Sequence, residues 1–204
     1  MKCNQQKYIE YVKDFANKKQ IHFWLGGSFL YGNATTYSDV DISAYCDADK
    51  IRELIYGYGK PVYISYTSNP LGILIVLYED GVAVDLEVIE KIDVSDKEYF
   101  HMYDIKSSNY IRNVKICREL SLSDDISYQV SRLFHRSLIK YLSGKRDIGV
   151  SIANEIVSFM NFQDFVDGMC YKEKISNCIN AYNEKYRLTN EYYKLLCGLI
   201  EILD

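Results

Sequence analysis

Proline is nearly absent. Only Pro61 and Pro70 occur in 204 residues, both in the first half, so nothing in residues 101–204 bars continuous helix. No run of eighteen apolar residues is present to cross a membrane. The N-terminus does not go from basic to apolar, so no secretory leader is expected and a cytoplasmic protein is. The six cysteines (Cys3, Cys46, Cys117, Cys170, Cys178, Cys197) show no Cys-x-x-Cys spacing, which excludes common zinc and dithiol motifs and reads as reduced, mostly buried thiols. The three histidines (His22, His101, His135) are far apart and lack zinc-type spacing. No Gly-Lys-Ser/Thr and no Gly-x-Gly-x-x-Gly occurs, so the P-loop and the dinucleotide fingerprint are both excluded.

Hydrophobic residues make up 48% of the chain, enough at this length to bury a real core. The net charge of −4 is unevenly spread: residues 1–100 carry −5, residues 101–150 carry +4 and residues 151–204 carry −3. An extended nucleic acid needs a broad basic track, so polymerase-like action on RNA or DNA is disfavoured.

Tyr8, Val12, Phe15 and Ala16 recur at helical spacing, predicting a first amphipathic helix over 3–19. Ile21 to Leu25 reads as a short buried strand ended by Gly26 and Gly27. Trp24 within it reads as core. A second strand runs from Asp39 through Ala44, followed by a helix from Asp47 to about Tyr58. Val62 to Tyr66, Gly72 to Tyr78 and Val82 to Ile89 read as strands, the last two joined as a hairpin by Glu79-Asp80-Gly81. From about residue 95 the pattern turns helical. Apolar stripes then follow at Ile126, Val130, Leu133, Phe134, Leu138, Tyr141; Ile148, Ile152, Ile156, Phe159; Ile175, Ile179, Tyr182, Tyr186; and Tyr192, Leu195, Leu199, Ile202.

Chemistry concentrates between Gly26 and Asp41. Gly26-Gly27-Ser28 forms a tight turn whose backbone N–H groups can approach phosphate oxygens, with Ser28 adding a hydroxyl donor. Ten residues later comes Asp39-Val40-Asp41, and strand alternation points both carboxylates one way. The same alternation pairs Asp85 and Glu87 on one face of a later strand. Two acids at i and i+2 plus a third from a neighbouring strand suit magnesium, and a pair of such ions holds the attacking and leaving oxygens in nucleotidyl transfer. Arg132, Arg136 and Lys140 recur every four residues on one helix face, and Arg112, Lys115 and Arg118 every three on another. Either row can neutralise a triphosphate.

Gly27-Ser28, ten residues, then Asp39-Val40-Asp41, with Leu77 to Leu86 as the strand bearing a third carboxylate, resembles the DNA polymerase beta-like nucleotidyltransferase superfamily. The nearest echo is in the aminoglycoside and lincosamide adenylyltransferases. The resemblance covers the first hundred residues. It implies that Gly27 and Ser28 hold the triphosphate, that Asp39 and Asp41 bind magnesium, and that Asp85 is third ligand, general base or both, with Glu87 in reserve. It implies ATP as co-substrate and a small-molecule hydroxyl, such as that of an antibiotic, as acceptor, placed between two domains. A homodimer is compatible with it. Small antitoxin nucleotidyltransferases that modify a protein partner share the spacing, so a regulatory role is the alternative, as is a catalytically degenerate nucleotide-binding module.

The expected fold is α+β: a small mixed-sheet nucleotidyltransferase domain over residues 1–100, then a helical bundle over 101–204.

Overall fold

In the computed structural model, the described residues are 3–68, 71–95, 97–105, 109–161 and 170–203. Pro70 lies outside them. The chain is α+β and divides into two compact units, Met1–Asp124 and Asp125–Asp204.

The first unit carries the mixed sheet. Its elements are α1 (Asn4–Lys19), β1 (His22–Leu25), α2 (Gly27–Leu30), β2 (Val40–Tyr45), α3 (Ala48–Tyr58), β3 (Pro61–Ser68), β4 (Leu71–Tyr78), β5 (Ala83–Ile92), β6 (Phe100–His101), β7 (Tyr110–Arg112) and α4 (Val114–Leu120). The strand order is β3-β4-β5-β2-β1-β6, with β7 added beside β5. β2 and β5 run parallel at the centre, and β6 runs parallel to β1; the other pairings are antiparallel.

Period-two alternation decides what each face does. Val40, Ile42 and Ala44 of β2 and Val84, Leu86 and Val88 of β5 point into one core with Tyr8, Val12 and Phe15 of α1, Ile51, Leu54 and Ile55 of α3, and Ile116, Cys117 and Leu120 of α4. The intervening residues, Asp41, Ser43, Asp85 and Glu87, are thereby turned to the other face. Burying an unpaired carboxylate among aliphatics is prohibitive, so this register is strongly specified. Local chemistry supports the same frame. Asp47 caps α3 by accepting from Lys50 N–H at 2.9 Å, and the β4–β5 hairpin closes through Gly81 N–H to the Tyr78 carbonyl at 3.0 Å.

The expected boundary near residue 100 lies earlier than the division between Asp124 and Asp125. Residues after 95 were expected to be helical, yet β6 and β7 join the sheet and α4 enters its core. Strands of two and three residues are too short to display a period of their own. Arg112 sits on β7 rather than on the helix with Lys115 and Arg118, so the three do not form one helical row.

The second unit is helical: α5 (Ile126–Leu142), α6 (Arg146–Met160), α7 (Tyr171–Tyr186) and α8 (Asn190–Glu201). Phe134, Leu138, Ile152, Ile156, Ile175, Ile179 and Tyr182 are buried as their stripes predict. Ile126 and Ile148 are exposed instead, and α8 buries Leu196 while Leu195 and Leu199 are half-buried. Backbone contact is close where α6 crosses α5, since Ser137 Oγ donates to the Gly149 carbonyl at 2.7 Å.

Candidate active site

β1 and β2 are antiparallel, so the end of β1 meets the start of β2. Gly26 N–H donates to the Asp41 backbone carbonyl at 2.8 Å, tying the Gly-Gly-Ser turn to the residue that carries the second acid of the pair. Gly27 has φ +56, a left-handed conformation that favours glycine. A Cβ there would lie 1.8 Å from Asp41 Oδ2. Glycine at 27 is thus required twice, by backbone angle and by the approach of the Asp41 carboxylate. Ser28 Oγ is buried and has no hydrogen-bond partner among the described residues.

Parallel pairing of β2 with β5 sets Asp41 directly opposite Asp85, and Ser43 opposite Glu87. Adjacent strands lie about 4.8 Å apart, so the Asp41 and Asp85 carboxyl groups share one pleat on one face. Both line a cavity of about 120 Å³ with Gly26, Gly27, Glu87 and Asp104. Asp39 stands one residue before β2, half-buried. Among the described residues, neither Asp39 nor Ser28 lines this cavity, and no group of three or more His, Cys, Asp or Glu is arranged to hold a metal ion.

Glu87 is committed elsewhere. Arg112 Nη2 donates to its Oε1 at 2.7 Å and the Tyr110 hydroxyl to its Oε2 at 2.7 Å. Both donors come from β7, which pairs with β5 just beyond Glu87. These are short, charge-assisted bonds in a partly buried setting. Burial, then the bond to Glu87, pushes the Tyr110 phenol above its ordinary pKa. At the cavity edge the Tyr31 hydroxyl donates to Asp104 Oδ2 at 2.9 Å, and that bond raises its pKa.

A group that sequence reasoning missed surrounds Trp24. His22 Nδ1 and His101 Nε2 are 3.0 Å apart, and Trp24 stacks on His101 with ring centroids 4.8 Å apart. Seventy-nine residues separate the two histidines; the parallel pairing of β6 with β1 brings them together, placing His101 opposite Trp24. No local spacing in the sequence signals this.

Arg132, Arg136 and Lys140 lie on α5 of the second unit, Arg136 exposed and the other two half-buried. Lys115 on α4 is exposed and 3.8 Å from Glu119, and Arg118 lies over the Tyr66 ring at 5.9 Å.

No protein-family model matches the chain, and no curated protein matches it. Among solved structures, the chain is similar to the CdnE cyclic dinucleotide synthase of Elizabethkingia meningoseptica in its structure with GTP and Apcpp. The identity is 13%, covering 98% of this chain and 90% of that chain, with a TM-score of 0.30. A score that low carries no argument about this chain.

Proposed function

We propose that the first unit transfers the nucleoside monophosphate of a triphosphate, ATP in this reading, to a hydroxyl of a small molecule and releases pyrophosphate. The observation that carries this reading is the register of Asp41 against Asp85 beside a glycine turn that tolerates no Cβ at Gly27.

The donor chemistry fits magnesium. The ion prefers carboxylate oxygens and is commonly held by one or two carboxylates, with phosphate and water completing the shell, so a pair of aspartates suffices without a three-residue cage. Asp41 and Asp85 would hold it, with Asp39 adding negative charge from the start of β2. When bound, magnesium neutralises the triphosphate and polarises the reacting phosphoryl group.

The remaining work falls to the protein. The Gly27 backbone and the Ser28 hydroxyl, which has no partner among the described residues, bind phosphate oxygens. Asp85, paired in register with Asp41, accepts the proton of the attacking hydroxyl. The reacting hydroxyl of the acceptor enters the cavity that Asp41 and Asp85 line. Aminoglycosides and lincosamides, which present hydroxyls on compact rings, are the acceptors proposed.

The test is incubation with labelled ATP and magnesium against a panel of hydroxyl-bearing antibiotics, with Asp41→Asn and Asp39→Asn as controls. Labelled acceptor and pyrophosphate are expected with the native chain alone. Pyrophosphate released without any labelled antibiotic removes these acceptors; no release under any condition removes the transfer itself.

A further inference from the structure

β6 holds only Phe100 and His101 in register, opposite Phe23 and Trp24 of β1, so backbone pairing at this end of the sheet is slight. Two imidazoles add to it. His22 Nδ1 and His101 Nε2 are 3.0 Å apart, and the rings lie within 9° of parallel with centroids 5.3 Å apart. The centroid separation exceeds the N···N distance by 2.3 Å, about two imidazole radii, so both nitrogens lie on the line between the centroids. The rings therefore meet head to head in one plane, and the contact is a direct N–H···N bond. A metal ion on that line would need about 4 Å between the nitrogens, at ~2.0 Å per bond. The gap fits a proton instead.

Such a bond limits how many protons the pair can carry. A neutral imidazole has one N–H and an imidazolium two. Whichever ring donates, the pair can be neutral, or can take one proton at an outer nitrogen, and still keep one bare facing nitrogen to accept. A second proton puts an N–H on both facing nitrogens and sets two cations side by side. His101 is 1% exposed, so water is not at hand to take over from His22.

The charged and titratable groups around the pair do not lift this limit. Tyr45 lies opposite His22 on β2, and the Tyr99 and Tyr103 rings lie 5.2 Å from His22 and 5.4 Å from His101; phenols stay neutral through the histidine range. Beside β6, Lys97 and Glu98 line a groove with Glu10 and Lys13 of α1, acid matched by base. Asp104 accepts from the Tyr31 hydroxyl, and Glu87 is paired with Arg112. A carboxylate can favour the first proton on the pair, but none of them makes room for the second.

What the pair holds in place is a piece of the cavity wall. Asp104 and Ile105, just beyond His101 in the chain, line the cavity with Asp41 and Asp85. Trp24, also in that wall, stacks on both imidazoles and packs against Ile105. We infer that the His22–His101 bond is an acid-labile latch: it keeps residues 100–105, and with them the Asp104 and Ile105 side of the cavity, on β1 at neutral pH and releases them in acid. The sign follows from the proton limit. The latched pair binds one proton fewer than two free histidines do, so its stability is fully present above the histidine range and is lost as pH falls through it. The latch belongs to the fold of the cavity and stands whether or not the transfer reaction occurs.

The test is amide hydrogen exchange of the full chain at about pH 7.5 and about pH 5.5, either side of the ordinary histidine pKa, with exchange times scaled for the intrinsic rate. In the native chain, residues 100–105 should lose about tenfold in protection at the acidic pH, the size of one neutral hydrogen bond, while β2 and β5 keep theirs. His22→Gln, whose amide can donate to or accept from His101 at either pH, should protect residues 100–105 equally at both. Equal protection of the segment at the two pH values in the native chain overturns the latch. So does a loss of the same size in His22→Gln, which assigns the titration to another group, or a loss shared by β2 and β5, which means that the whole unit opens. Should His22→Gln fail to fold, ¹⁵N-histidine spectra of the native chain decide: a coupling between the two ring nitrogens across the bond is expected at the neutral pH and lost at the acidic one. Its absence at neutral pH, or its persistence in acid, overturns the inference.

Discussion

Gly27 and Asp41 are mutually constrained: the position a Cβ would take on Gly27 lies 1.8 Å from Asp41 Oδ2 and 2.5 Å from its Cγ. The glycine turn and the Asp41 carboxylate are therefore set by one contact, and a methyl group at 27 has to displace the carboxylate or the turn.

Gly27→Ala should abolish pyrophosphate release and lower stability. Gly32→Ala is the matched control, because Gly32 also has positive φ (+71) but nothing lies within 4 Å of its Cβ position. Both changes incur the left-handed backbone strain of about 1 to 2 kcal/mol. Urea denaturation should show a comparable loss for Gly32→Ala with transfer retained. The further loss and inactivity of Gly27→Ala then isolate the Asp41 clash. Equal activity in the two variants would remove Asp41 from the site.

Asp85 and Glu87 share a strand face, and the proposed transfer assigns them different roles. Asp85→Asn should lower turnover by about 10² to 10⁴-fold, the usual range for a lost general base, without a large change in denaturation midpoint. Glu87→Ala should behave in the opposite way, chiefly as a stability defect. It leaves the Arg112 guanidinium, 27% exposed, without its carboxylate. Breaking a buried pair typically costs 3 to 5 kcal/mol, and about 2 kcal/mol is expected here after discounting for that exposure. Full activity in Asp85→Asn with inactivity in Glu87→Gln would exchange the two assignments.

Thiol burial predicts alkaline sensitivity. Burial pushes the thiol of Cys117 up to about 11 and those of Cys46 and Cys178 up to about 12, from an ordinary 9.0. A group whose folded pKa is raised contributes its full stability below the unfolded value and loses it as pH rises through the folded one. Stability should therefore hold up to pH 9 and decline from there through pH 11 to 12. At pH 8, a thiol reagent should modify exposed Cys3 and Cys170 quickly while buried Cys117 and Cys178 react only on unfolding. Rapid native-state reaction of Cys117 would contradict its burial.

Two helix glycines in the second unit should respond in opposite directions. Gly198→Ala meets nothing within 4 Å on α8 and should stabilise by about 0.5 to 1 kcal/mol through helix propensity. At Gly149 a Cβ would come within 2.9 Å of the Ser137 carbonyl, so Gly149→Ala should destabilise by about 1 to 3 kcal/mol through overpacking of the α5–α6 crossing. Thermal melts read both; stabilisation by Gly149→Ala would mean the two helices separate at little cost.

Much of the frame was readable from local pattern. The Gly-Gly-Ser turn, the strand that carries Asp41, the β4–β5 hairpin and the shared face of Asp85 and Glu87 all follow from glycine conformational freedom and from the two-residue period of strands, whereas Asp39, expected on the same strand face as Asp41, stands one residue before β2. Those rules act within a few residues, where the chain itself is the only geometry needed. They also failed locally where an element was too short to show a period, as with β6 and β7, and where a stripe was off by one position, as with Leu196 in place of Leu195.

What tertiary structure alone decided is which strands become neighbours. Parallel pairing of β2 with β5 put Asp41 against Asp85, although 44 residues separate them by number. Addition of β7 beside β5 delivered Arg112 and Tyr110 to the oxygens of Glu87. Addition of β6 beside β1 joined His22 to His101 and left Trp24, read from sequence as ordinary core, in the cavity wall with an N–H that meets no partner among the described residues. Each of these depends on hydrogen-bond ladders between segments distant in sequence, selected by how the whole sheet buries its apolar face. No residue's own neighbours in the chain encode that choice.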